Sequence, residues 1–200
     1  MTFPAFYSQA PRILMRDPLS EFLGASQNGL IEYRYEDAVR LAGHSCPTVA
    51  GTWLMLARGL KHLHGEKTPT RGQLRVRFPD AQNAGVTGVM AAVATLITGA
   101  TQDSGFKGLG GQFDRRGLMF FSAPVQGSLA LQRADDGREA TLRLDTSIVP
   151  ASPEMGPLFG LCLSGQGSQE DRRRFGELWQ ERVRLMLTDL ASDPRLVEIV

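Results

Sequence analysis

The chain predicts an α+β fold, with helices packed on one face of a mainly antiparallel sheet. Apolar residues recur at three- and four-residue spacing over about 47–63, 86–98 and 169–191, which is the signature of helices with one buried face. Polar and apolar residues alternate over Gln73–Phe78, and three more strand-like stretches follow between 117 and 149. The order is therefore helix, strand, helix, three strands, helix. Strands grouped after a helical half favour an α+β arrangement.

The 200 residues, 42% of them hydrophobic, suffice for one real core. Residues 1–29, with prolines at 4, 11 and 18, read as an irregular N-terminal arm. Residues 30–165 read as the core domain, and 166–200 as a C-terminal helix packed on the core or on a dimer partner. Leu30–Tyr35 alternates like a short strand or an entry turn. Glu36–Leu41 is a short helical piece with Glu36 and Asp37 in its first turn, and Gly43 stops it. Pro47 suits the first helical position, where no amide donor is needed. From there Val49, Trp53, Leu56, Leu60 and Leu63 form one apolar face, with Gly51 and Gly59 allowing close packing and Gly65 ending the helix. After the strand at 73–78, Pro79-Asp80 makes a turn, and Val86, Val89, Met90, Val93, Leu96 and Ile97 face inward from a second helix that Gly99 terminates. Residues 104–111 are a glycine-rich loop. Strands are expected at Gly117–Ser122, Ser128–Arg133 and Ala140–Val149, with Asp135-Asp136-Gly137 as a turn signal. Pro150–Pro157 reads as a loop. Phe175, Leu178, Trp179, Val183, Met186 and Leu190 stripe the last helix.

Lys and Arg number 22 against 21 Asp and Glu, a net charge of +1. That balance predicts no broad pull on nucleic acid or on acidic membranes. No segment reaches the ~20 apolar residues that span a bilayer. The N-terminus lacks a basic stretch followed by an apolar run. Two cysteines, Cys46 and Cys162, are too few for a four-cysteine zinc module. The expectation is a cytoplasmic protein.

Chemistry concentrates at Gly43-His44-Ser45-Cys46-Pro47. Alternation puts the imidazole of His44 and the thiol of Cys46 on the same side of an extended turn. The helix start beyond them favours negative charge at the sulfur. A borderline-soft ion such as zinc accepts both donors, so the pair reads as half of a metal site. Two further readings stand beside this one. A buried thiol and a capping histidine would also suit a helix start. A nucleophile with its base would use the same two residues, although no orienting Asn or Asp is evident. His62 and His64 lie too far along the helix to join Cys46, roughly 24 Å for His62 at ~1.5 Å per residue. Further ligands must come from another element or from a second copy of the chain. Asp80, Gln82, Asp103, Asp114 and Cys162 are the candidates.

The loop from Gly105 to Gly111 offers a second site. Gly105 and Gly108 free backbone amides to cradle an anion, and Lys107 adds charge. It matches neither the P-loop spacing nor a dinucleotide fingerprint. Arg115-Arg116, next along, are suited to meet a carboxylate or phosphate near that loop. The alternatives are a loop that simply needs unusual backbone angles, and a solvated strand edge.

The segment Ala38–Pro47 resembles the HGHxCPG signature of the FmdE family of formylmethanofuran dehydrogenase components. Thr48–Leu63 matches the helix that follows it. Leu96-Ile97-Thr98-Gly99-Ala100-Thr101 is similar to the family's LTGCT-like motif, and Asp114–Gly117 loosely to its later strand entry. The resemblance covers about 33–125. It departs at Ala42, Thr48 and Ala100, where the motifs carry His, Gly and Cys, and it lacks the C-terminal zinc finger of some members. It implies a divergent, core-only relative: an α+β homodimer with a metal or active-site cavity around His44 and Cys46. The functional expectation is a zinc-binding protein, either an enzyme acting on a small molecule or an accessory factor of a metallo- or molybdopterin enzyme. The alternatives are a non-catalytic binding or assembly module, and a thiol enzyme using Cys46.

Overall fold

The structure is a computed structural model that describes residues 3–200. Its centre is a five-stranded sheet in the order β4-β3-β5-β6-β7, formed by Leu74–Arg77 (β3), Met119–Phe120 (β4), Leu129–Arg133 (β5), Glu139–Leu144 (β6) and Val197–Ile199 (β7). All neighbours are antiparallel except β3 and β4, whose parallel pairing sets Val76 beside Met119. Val76 also meets Leu131, which meets Ala140, and Leu142 meets Ile199. Period two then gives the sheet two unlike faces. Leu74, Val76, Leu129, Leu131 and Leu142 are fully buried on one. The other is polar, carrying Arg75 and the ion pairs Arg77–Glu139 and Arg143–Glu198.

The helices lie on the apolar face, as the sequence predicts. Pro47–His64 (α3) crosses the sheet and packs on β5, β6 and β7. Thr87–Thr98 (α4) and Gln169–Leu187 (α6) flank it, and Tyr35–Ala42 (α2) packs on α3 and α4. Gly51 and Gly59 permit this closeness. A Cβ on Gly51 would collide with the side chain of Leu144, and one on Gly59 would lie 2.9 Å from Leu131 Cδ1. Helix α4 is also the crossover that makes β3 and β4 parallel, where the sequence suggested only a further strand.

Several elements differ from the expectation, and strands β4 and β6 are shorter than the expected 117–122 and 140–149. The arm is ordered: Ile13–Arg16 (β1) pairs antiparallel with Leu30–Tyr33 (β2), and Pro18–Phe22 (α1) follows β1. Its Tyr7 packs edge-on against Tyr35, and Pro11 accepts a 2.8 Å hydrogen bond from the Trp53 indole. Most of the supposed 150–157 loop precedes a helix, Met155–Leu163 (α5), that packs on α6. Helix α6 ends at Leu187 rather than 191, and β7 completes the sheet beyond it. Among the described residues no helix is long and apolar enough to cross a membrane.

Candidate functional site

Gly43 ends α2 in a left-handed conformation, and the chain then runs extended into α3. Ser45 is the residue that turns inward. Its hydroxyl shares a 2.8 Å hydrogen bond with the Tyr35 phenol. Its carbonyl accepts from the Trp179 indole at 2.9 Å and from the Gln180 amide at 3.2 Å. Burial pushes the Tyr35 phenol upward in pKa, with the Ser45 bond opposing. These contacts clamp the turn from α2 and α6 together.

Cys46, the next residue, is buried as well and belongs to the hydrophobic core, whereas His44 stays at the surface. Cys46 is the N-cap of α3, 9% exposed, and its Sγ accepts from the Val49 amide at 3.5 Å. His44 is exposed, with Nδ1 2.9 Å from the Ala42 carbonyl. No group of three or more His, Cys, Asp or Glu side chains among the described residues could hold a metal ion. One protomer therefore does not supply the four ligands of a structural zinc unaided. Of the suggested further ligands, Asp114 is engaged by Arg116, and Cys162 lies on α5. His62 and His64 fall in the last turn of α3, where the sequence places them.

The glycine-rich loop builds a different site. Leu109 and Gln112 bond each other across Gly110-Gly111, both at positive φ. Gly108, at φ 85°, lets the Gln112 carbonyl approach where a side chain would stand. Gly105 faces Thr101, and Lys107 is exposed. Arg116 turns back on Asp114 with bonds of 2.7 and 3.0 Å, which hold that carboxyl down at about 2. Arg115 goes inward instead. It is 5% exposed and donates to Asp17 at 2.7 Å. Arg71 donates to the other oxygen of Asp17 at 2.9 Å and to the Thr95 and Leu96 carbonyls at the end of α4. Burial raises the Asp17 pKa, but the Arg71 bond and the Arg115 charge outweigh it, and the net shift is downward.

The sequence reading singled out Arg115 with Arg116 but missed Asp17 and Arg71. Asp17-Pro18 was a legible helix-start signal. Nothing local announced that its carboxylate would meet guanidiniums 54 and 98 positions away. No family model, curated protein or solved structure matches the chain.

Proposed function

We propose that the chain is a homodimeric metal-binding accessory protein, in which the His44-Ser45-Cys46 turns of two copies together hold one soft ion, zinc being the best match. One observation carries this reading: the turn adjoins a large unpartnered apolar surface. Phe159 on α5, Phe175 and Trp179 on α6 meet in sequence as tilted ring pairs at 5.9 and 5.5 Å, and the Trp179 indole donates to the Ser45 carbonyl. Phe159, Leu161 and Leu163 are exposed, Leu163 by 74%. Helix α5 contains no charged residue, while both signs of charge flank it on α6 at Glu170, Arg173, Arg174 and Glu177. Such a face is complementary to itself about a two-fold axis. A two-fold also doubles two donors to four, an N₂S₂ set that zinc accepts. The resemblance of the HSCP segment supports the same residues.

An accessory role is favoured over a catalytic one because the ground beneath the turn is filled by Tyr35, Trp179 and Gln180. The thiol-enzyme reading has its own support in the position of Cys46 at a helix start.

The test is light scattering with metal analysis on protein purified without a histidine tag. A dimer holding about half an equivalent of zinc per chain, lost in Cys46→Ala, is expected, since specific structural sites hold metal tightly. Leu163→Glu should yield a monomer with its metal lost. A wild-type monomer, or less than about a tenth of an equivalent, overturns the reading. Rapid stoichiometric alkylation of Cys46 unaffected by zinc would transfer support to the thiol enzyme.

A further inference from the structure

The second site carries an inference that does not depend on the dimer. A cavity of about 350 Å³ opens between Arg71, Gly72 and Arg115 on one wall and Gly111, Gln112 and Phe113 on the other. We propose that this cavity binds the carboxylate of a small organic acid with a planar apolar body.

The charge balance is the first argument. Asp114, at the rim, is answered by Arg116. Inside, two guanidiniums share the single carboxylate of Asp17, leaving one positive charge in excess beside residues that are 3% (Asp17) and 5% (Arg115) exposed. Buried charge without a partner is costly, so an added anion is favoured there. One excess charge matches a monoanion.

Hydrogen-bond capacity is the second argument. Asp17 is saturated: Oδ1 accepts from Arg115 and from the Leu19 and Ser20 amides, and Oδ2 accepts from Arg71. Arg115 is not. A guanidinium carries five N–H donors. Among the described residues this one is given a single acceptor, and its buried Nε has no partner. The Nε of Arg71 is likewise buried and unpartnered. Both Nε atoms are closed to solvent, so the terminal N–H groups of Arg71 and Arg115, which line the cavity, are the ones a planar carboxylate would meet.

Shape is the third. Gly72, at φ 82°, leaves free the space its Cβ would take, and the Arg115 guanidinium occupies it. Phe113 is held at φ 62° with its ring against Phe22 at 5.6 Å, and Phe22 is itself exposed. Phe113 lines the cavity, and its ring, backed by Phe22, offers an apolar surface to the body of the acid.

Benzoate, acetate, benzamide and inorganic phosphate should be titrated into the full chain at constant ionic strength, read by amide chemical shifts. Benzoate is expected to give saturable shifts at Gly72, Gly111, Gln112 and Phe113 with Kd near or below about 1 mM, and acetate to bind about tenfold more weakly. Benzamide should leave these amides unmoved. Phe113→Gly, which relaxes a positive φ, should remove the preference for benzoate over acetate while acetate still binds. The proposal is overturned by no saturation at about 10 mM benzoate, by shifts confined to other regions, or by benzamide matching benzoate. Tighter binding of phosphate than of benzoate overturns the carboxylate assignment. Arg115→Gln should abolish the shifts; should that variant not fold, the wild-type amide map decides alone.

Discussion

Replacing Asp17 by asparagine isolates one negative charge. Asparagine keeps a side-chain oxygen for the Leu19 and Ser20 amides, so the start of α1 stays capped. What is lost is the countercharge to Arg71 at 2.9 Å and to Arg115 at 2.7 Å. Breaking a buried ion pair typically costs about 3–5 kcal/mol. The Arg71 side chain, 22% exposed, keeps some access to water, which places the expected loss at the lower end, about 3 kcal/mol. Against a total stability of about 5–15 kcal/mol this is a large fraction. Urea denaturation followed by circular dichroism would measure it. The pH dependence supplies a second check. The folded pKa of Asp17 lies below its ordinary value, so its contribution is complete above the unfolded pKa of about 3.9 and disappears as pH falls through the folded one. The gap between wild type and variant should hold steady from about pH 5 to 8 and close only in acid. A loss below about 1 kcal/mol, or a gap that narrows near neutrality, would refute the reasoning.

Gly51→Ala should destabilise, although alanine is the better helix former by up to about 1 kcal/mol. Its Cβ collides with Leu144, and overpacking costs about 1–3 kcal/mol. Gly59→Ala, whose Cβ would meet the tips of Leu131 and Leu142 at 2.9 and 3.0 Å rather than those of Leu144 at 2.3 and 2.8 Å, should cost less, and a reversed order of melting temperatures would contradict the packing described. Trp179→Phe removes one of two donors to the Ser45 carbonyl and should cost about 1 kcal/mol. Cys46 should then react faster with a disulfide reagent, and an unchanged rate would separate the turn from α6. The Tyr35 phenol has a raised pKa in the fold, so its share of stability is full below about pH 10 and declines above it. Tyr35→Phe should flatten part of the alkaline stability curve. Tyr7 and Tyr33, raised by burial too, account for a remaining slope. Parallel curves would show that Tyr35 plays no part.

The helices at 47–64 and 87–98 and the strands at 74–77, 129–133 and 139–144 were legible because each is long enough, or alternates cleanly enough, to show its own period. The missed elements are those whose pattern is too short or too uniform. Strand β1 has four residues lodged between Pro11 and Pro18, and β7 has three. Helix α5, MGPLFGLCL, is apolar on all sides and so shows no face. Parallel pairing of β4 with β3 is a tertiary outcome that local alternation does not encode. At the candidate sites, the bend carrying His44 and Cys46 was readable from Gly43 and Pro47, whereas the clamp on Ser45 depends on Trp179 and Gln180 more than 130 positions later. Of the adjacent pair Arg115-Arg116, only the folded chain distinguishes the buried guanidinium from the one folded back on Asp114.

The flanks of the main sheet are its shortest members, two residues at β4 and three at β7. Just past β4, Ser122 at positive φ and Pro124 interrupt the extended backbone. A foreign strand seeking to add itself there finds too few free amides and carbonyls in register to hold on. The main sheet is thus guarded at both edges against runaway β-addition and cross-β stacking.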